Sequence, residues 1–205
     1  MQRTVVDGVY LWSVWQPERN LFFNSHFIAC SDGNLIVDPL PLSAADAGEI
    51  DERGGAAWVL VTNRDHQRDA AAFAARFGAK VAAGERDAEL LSVAVDRRLV
   101  DGATFCGATV IGVPGMKSPG EIALHFPDRR TALVGDALWG DPAGSLRLMP
   151  DDKLADPPLV ARSLRAVLAC DPQHLLVGDG QSIYFDALRA LRACLDTRAN
   201  ASLSR

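Results

Sequence analysis

Trp58-Val59-Leu60-Val61-Thr62-Asn63-Arg64-Asp65-His66 is an apolar run that stops in a polar turn, and an alanine-rich stretch follows it as far as Phe77-Gly78. A short apolar run closed by turn residues reads as a buried strand. Alanines at 70, 71, 72, 74 and 75, with Gly78 where a helix-ending glycine belongs, predict a helix over Asp65–Phe77. The strand-then-acid pattern recurs. Thr131–Val134 runs into Gly135-Asp136, and Leu175–Val177 into Gly178-Asp179-Gly180. A polar residue just past a strand sits on a loop held by a rigid sheet, where binding and catalytic groups concentrate. Asp65, His66, Asp136 and Asp179 are therefore expected to converge on one pocket, as a candidate metal or proton-transfer site.

Upstream, Thr4–Trp15 is rich in strand formers around the turn Asp7-Gly8, and Phe22–Cys30 and Asn34–Val37 read as two further strands. Ser43 is placed to cap a helix reaching about Asp51. Downstream, Lys80–Ala83, Thr109–Val113 and Glu121–Phe126 read as strands and Arg86–Ser92 as a short helix. Pro157–Cys170 is an amphipathic helix, with Leu159, Val160, Leu164, Val167 and Leu168 on one side. A last strand at His174–Val177 and a closing helix at Ser182–Leu195 precede a polar tail, Thr197–Arg205, expected to fray. No composition break or repeat divides the 205 residues, so one α/β domain over 1–205 is expected.

The formal net charge of −5 gives no electrostatic reason to expect nucleic-acid or membrane-surface binding. No apolar stretch approaches the ~20 residues of a membrane span. Met1–Val14 lacks the basic and apolar regions of a secretory signal. Cys30, Cys106, Cys170 and Cys194 are scattered, with no C-x-x-C pair, and are read as free thiols in a reducing compartment. A cytoplasmic location follows as the expectation. The expected partner is a small-molecule substrate or ligand. Oligomeric state stays open, with a two-fold homodimer as the commonest closed assembly.

Taken in order, "NLIVDPLP", "WVLVTNRDH…AAFAARFGAKV", "VIGVPGMKSPGEIALHF", "RTALVGDALW" and "HLLVGDGQS" resemble the metallo-β-lactamase superfamily, over roughly residues 5–190. The resemblance implies an αββα sandwich of two mixed β-sheets with helices on the outer faces, shared with glyoxalase II-type hydrolases. In that family a strand ends in Thr-His-x-His-x-Asp-His, and two further histidines and a bridging aspartate complete a two-metal site. Here Thr62, Asp65 and His66 match the family's Thr and closing Asp-His, but Asn63-Arg64 replaces the longer loop and neither histidine of the His-x-His pair is present. In the turn Pro114-Gly115-Met116-Lys117-Ser118-Pro119-Gly120, Lys117 stands where the family carries a histidine. Asp136 matches the bridging acid, Asp179 replaces the last histidine, and Asp38 in "IVDP" matches a buried supporting aspartate.

The resemblance thus implies one lost metal position and one altered one. Asp65, His66, Asp136 and Asp179 offer one imidazole and three carboxylates, a set that suits one divalent Mn, Fe or Zn ion. Lys117, which cannot ligate while protonated, is expected to stand in for the missing cation and to bind substrate, with Arg64 and Trp139 lining the pocket. Asp65 is expected to act on the attacking water, and Asn63 and Asp38 to support the ligands from behind. The alternative is a metal-free network in which Lys117 neutralises the acids and the pocket binds a small anion or nothing. An unpaired buried charge is too costly to persist, so one form of neutralisation or the other is required. The two functions carried forward are a hydrolase of an ester, thioester, amide or phosphoester, and a non-catalytic member of the fold.

Overall fold

Neighbouring residues of the central strands face different layers, because strand side chains alternate. A computed structural model of the protein describes residues 1–203, with side chains through residue 198. The first half of the sheet system holds β1 (Gln2–Arg3), β2 (Val9–Gln16), β3 (Leu21–Ile28), β4 (Leu35–Val37), β5 (Trp58–Val61), β6 (Lys80–Gly84) and β7 (Arg97–Leu99). The second holds β8 (Thr104–Phe105), β9 (Ala108–Gly112), β10 (Ile122–Phe126), β11 (Thr131–Gly140), β12 (Arg147–Leu148), β13 (His174–Gly180) and β14 (Ile183–Tyr184). β4 to β7 run parallel, β2, β3 and β4 antiparallel, and β11 pairs β13 in parallel but β10 and β12 antiparallel. Both halves are therefore mixed. They meet at the antiparallel pairing of Phe23 in β3 with Asp179 in β13.

Three apolar layers follow from the alternation. Leu35, Val37 and Leu60 join Val110, Leu124, Leu133 and Leu176 in a layer between the two sheets. Their neighbours Ile36, Val59 and Val61 point the other way, onto α1 (Ala44–Glu52) and α2 (Ala70–Phe77). On the far side, Val134, Leu175 and Val177 meet Val160, Leu164 and Val167 of α3 (Pro157–Ala169) and Leu191 and Leu195 of α4 (Ala187–Leu203). Helix, sheet, sheet, helix is the resulting order. Each fully buried large apolar side chain contributes about 1.5–3 kcal/mol, so these layers hold the loops between them in place.

Several elements differ from expectation, each for a local reason. The helix predicted over Asp65–Phe77 starts at Ala70. Asn63 instead caps a single 3₁₀ turn, Arg64–His66, and Arg68 takes a left-handed backbone (φ 41°) that an α-helix cannot absorb. Arg86–Ser92 forms turns rather than a helix, because the Asp87 carboxylate is drawn away to Ser118 and Gly120. β11 and β13 run on through Asp136 and Asp179, so those acids lie within strands. The β11–β13 register shifts between Val134 and Trp139, an irregularity that re-aims the residues inside it. α4 begins at Ala187 and continues through most of the segment read as a fraying tail, and residues 204–205 lie outside those described. Ser43 caps α1 and Gly78 ends α2 in a left-handed conformation (φ 63°), as the sequence predicts. All four cysteines are free. Among the described residues no helix is long and apolar enough to cross a membrane.

Candidate metal centre

The site is built on the imidazole of His66, which is buried and held from both sides. The Asn63 side-chain oxygen accepts from the amides of Asp65 and His66 (3.0 and 3.1 Å), fixing the turn that carries the ring. Asp38, at the end of β4, accepts from the Thr62 amide (2.8 Å) and hydroxyl (2.6 Å) and pairs with His66 Nδ1 at 2.8 Å. With Nδ1 committed to Asp38, Nε2 faces the opposite strands. It lies 3.0 Å from Asp136 Oδ1 and 3.9 Å from Asp179 Oδ1.

Two glycines make that approach possible. A Cβ on Gly178 would sit 2.7 Å from His66 Cε1, and one on Gly135 would sit 2.7 Å from the Thr62 hydroxyl. The Gly-Asp pairs of β11 and β13 therefore bring each carboxylate in beside a residue that lets the histidine turn close. His66, Asp136 and Asp179 each place one donor atom within 4.8 Å of the others.

The charges follow from burial and proximity. Burial opposes the imidazolium of His66, but the Asp136 and Asp38 carboxylates outweigh it and raise its pKa to about 10. Burial likewise opposes ionisation of Asp38 and Asp136, and the His66 charge overcomes it, so both acids are held below the ordinary carboxylate range. Asp179 is pushed up to about 6 by burial and by Asp136, against the opposing pull of His66 and Arg68.

Sequence reasoning missed the cation in this cluster. Arg68 Nη1 donates to the Asn24 and Asp38 carbonyls (2.8 and 3.1 Å), and its Nη2 stands 3.6 Å from Asp179 Oδ1, with the guanidinium 5.1 Å from the Phe23 ring centre. The signal that could have found it is a helix that fails to start after His66, and that failure is visible only in the backbone. Lys117 does not lie among the three donors. Its ammonium pairs with Asp65 at 2.8 Å at the exposed rim, where both side chains are roughly half exposed. This corrects the expectation that Lys117 neutralises the cluster, and it leaves Asp65 outside the 4.8 Å set.

Other expected site residues are placed as follows. Arg64 contributes mainly its backbone amide, which donates to Asp87 (3.0 Å) and to Ser118 Oγ (2.9 Å). Its guanidinium reaches no closer than 4.0 Å to Asp65 and does not line the cavity. Trp139 is also no pocket residue. It is buried in the outer apolar layer with Arg147 4.3 Å over its ring, because the register shift in β11 turns it away from Asp136. Asp87, absent from the expected set, bonds Ser118 and the Gly120 amide and so clamps the Lys117 turn onto the His66 turn. No sequence pattern marks it. His26 is buried on β3 with Nε2 unpartnered, and burial lowers its pKa to about 4. It stands outside the donor set, as do His125 and His174.

A cavity of about 610 Å³ opens above the three donors, lined by Arg19, Arg68, Lys117 and Lys153 as well as Asp65, Asp136 and Asp179. Asp179 Oδ1 and Arg68 Nη2 have no hydrogen-bond partner although both are buried. One imidazole nitrogen and two carboxylates, one of them with an orphaned oxygen, beside a cavity fit one divalent ion. Of the chain's four histidines one, His66, is in the set, and the Arg68 guanidinium stands 3.6 Å from Asp179.

Fold and site define an αββα protein with a polar centre between its sheets, and the comparisons say which kind. The model of the metallo-beta-lactamase superfamily matches residues 1–198, and the chain belongs to that family. A hydroxyacylglutathione hydrolase of Acidiphilium cryptum is 31% identical over 156 residues, covering 73% of this chain and 60% of its own length. The chain thus spans less than two thirds of that relative. Among solved structures, a metallo-beta-lactamase from Pontibacter korlensis superposes with a TM-score of 0.77 at 12% identity, over 97% of this chain and 98% of that one. A metallo-beta-lactamase family protein from Thermus thermophilus gives 0.70 at 18%, over 98% and 82%. A protein solved in a di-iron-bound form gives 0.69 at 22%, over 87% and 96%. Likeness at these identities establishes the fold.

Proposed function

We propose that this protein is a hydrolase whose site holds a single divalent ion on His66, Asp136 and Asp179, with Arg68 in place of a second cation. The observation that carries this reading is the orphaned Asp179 Oδ1, buried within 4.8 Å of the other two donors and facing the cavity. Such an ion supplies Lewis-acid polarisation and a more acidic water.

The chain's own residues do the rest. Asp38 holds His66 by Nδ1, which leaves Nε2 free to ligate. Arg68 is tied to two backbone carbonyls, so its charge is fixed rather than mobile, and it offers an N–H beside Asp179 to an oxygen that gains negative charge. Lys117, held by Asp65 at the rim, and Arg19 and Lys153 across the cavity attract a substrate carrying a negative group. A small ester, thioester, amide or phosphoester with an anionic tail fits that lining. The similarity to a hydroxyacylglutathione hydrolase favours a thioester.

Metal analysis of protein purified without chelator tests the reading, with about one equivalent expected and about a tenth or less, unchanged on reconstitution, overturning it. Thiol release from an anionic acyl thioester, lost in His66→Ala, is the matching activity. The metal-free reading is favoured by a different observation, namely that a protonated His66 already pairs with Asp38 and Asp136. In that case the cavity binds an anion against Arg19, Lys117 and Lys153, and the same metal analysis separates the two.

A further inference from the structure

We infer that Glu121 is a fourth protein ligand of the ion, an inference that rests on the single-ion reading above. Glu121 is the one buried residue among the chain's six glutamates. It follows the turn that Asp87 clamps, and its backbone is pinned on both sides. Its amide donates to the Ser118 carbonyl (3.2 Å), and its carbonyl accepts from Val113 (2.9 Å). With its main chain so fixed, the side chain reaches across to β11, where Oε1 accepts from the Ala137 amide at 2.8 Å. Ala137 is the residue after Asp136, so the carboxyl lies alongside the Asp136 ligand.

The other oxygen, Oε2, is buried without a partner and belongs to the same cavity as Asp179 Oδ1, the second orphaned carboxylate oxygen. Four basic side chains line that cavity, and none pairs with Glu121 among the described residues. A polar group buried without a partner carries a desolvation cost of about 1–3 kcal/mol, more if charged. A divalent ion at the site would remove that penalty, because a positive charge between crowded carboxylates favours their ionised form. Glu121 stands outside the 4.8 Å set. Ligation would require the buried carboxyl to turn from its place on the Ala137 amide while its backbone stays pinned.

The completed set is one imidazole and three carboxylates, a hard oxygen-rich donor group. Such a group suits Mn(II) or Fe(II) with open positions more than tetrahedral Zn(II), which is satisfied by three protein donors and a water. Glu121 would thus supply the third carboxylate that the sequence assigned to Asp65.

Calorimetric titration of the metal-stripped protein with Mn(II) tests this, comparing wild type with Glu121→Gln and Asp65→Asn. Glu121→Gln keeps the size and a hydrogen-bonding amide but removes the anionic donor. Expected is a loss of Mn(II) affinity of about tenfold or more in Glu121→Gln, a smaller loss of Zn(II) affinity, and little change in Asp65→Asn. Mn(II) affinity within twofold of wild type in a folded Glu121→Gln protein overturns the inference and leaves the single-ion reading standing. If wild type binds neither ion, both fall. Should Glu121→Gln fail to fold, the side-chain carboxyl carbon of Glu121 is followed by NMR in 13C-glutamate-labelled wild type. A stoichiometric shift of that one buried signal at saturating Mg(II), a diamagnetic ion that prefers hard oxygen donors, supports ligation, and an unmoved signal overturns it.

Discussion

The floor of the cavity and its rim both pair acids with bases, yet they are different kinds of structure. On the floor, His66, Asp38, Asp136, Asp179 and Arg68 are all buried or nearly so, and each depends on the others. On the rim, Lys117 and Asp65 pair at 2.8 Å with side chains 57% and 43% exposed. The bond length at the rim equals the His66–Asp38 distance on the floor. Length therefore says little about strength, and the surrounding dielectric decides. Exposed pairs contribute about 0–1 kcal/mol, whereas breaking a buried pair by removing one partner costs about 3–5 kcal/mol. The floor is a structural commitment, and the rim is free to serve a ligand.

The largest expected effect is therefore at Asp38. Asp38→Ala leaves the His66 imidazolium and the Thr62 amide and hydroxyl without their acceptor. A loss of about 3–5 kcal/mol in urea unfolding of the metal-stripped protein is expected. A loss below about 1 kcal/mol would erase the distinction between floor and rim.

Next comes pH. In the metal-stripped protein the His66 pKa of about 10 lies above its unfolded value of about 6.5. The folded state therefore holds this proton more tightly, so the stabilisation is complete below pH 6.5 and is lost as pH rises toward 10. Asp179 works in the same direction at lower pH. Its pKa near 6 is also raised, so its contribution is present near pH 4 and lost as pH climbs through 6. Stability of the stripped protein should fall from pH 4 to 10. Ion binding needs neutral His66 and ionised Asp179, so metal affinity should rise over that range. Imidazole NMR checks the first part, and Asp136→Asn should lower the His66 pKa.

A smaller effect is expected at Gly178. A Cβ there meets His66 Cε1 at 2.7 Å, and the ring is clamped by Asp38 and cannot retreat. Gly178→Ala should cost about 1–3 kcal/mol as overpacking and weaken metal binding by displacing the ring from Asp136 and Asp179. Unchanged stability and unchanged affinity together would mean that β13 can shift freely.

The same contrast explains what the sequence made legible. The strands carrying the acids are short apolar runs, and their period of two sorts Leu35 from Ile36 and Leu60 from Val61 into separate layers. Pattern of that kind survives in one dimension. So does Gly-Asp at 135–136 and 178–179, because close approach demands a small neighbour. The partner of each charge was not legible. Arg68 enters the cluster through a left-handed backbone that no residue preference announces, and Lys117, the obvious cation in the motif, sits on a turn whose tip reaches solvent. Trp139 was misplaced for the same reason, since one register shift in β11 reverses the face a residue presents. Charge pairing over separations such as 66 to 136 is settled by topology, and only the apolar pattern is settled locally.

The smallest effect should be at the rim, and it separates two roles for Lys117. If Lys117 neutralised the acids, Lys117→Ala would destabilise the protein at neutral pH and recover as the acids protonate. The pairing with half-exposed Asp65 argues otherwise. Lys117→Ala and Asp65→Asn should each change stability by less than about 1 kcal/mol, with a coupling energy in the double mutant of similar size. Binding should respond where stability does not. Lys117 lines the cavity with Arg19 and Lys153, so Lys117→Ala should raise KM for an anionic substrate several-fold while leaving kcat nearly unchanged, the pattern of an interaction made equally in ground and transition states. Added salt should shrink that difference, because an exposed charge is screened where the buried cluster is not. A large loss of stability in Lys117→Ala, insensitive to salt, would move Lys117 from the rim to the floor.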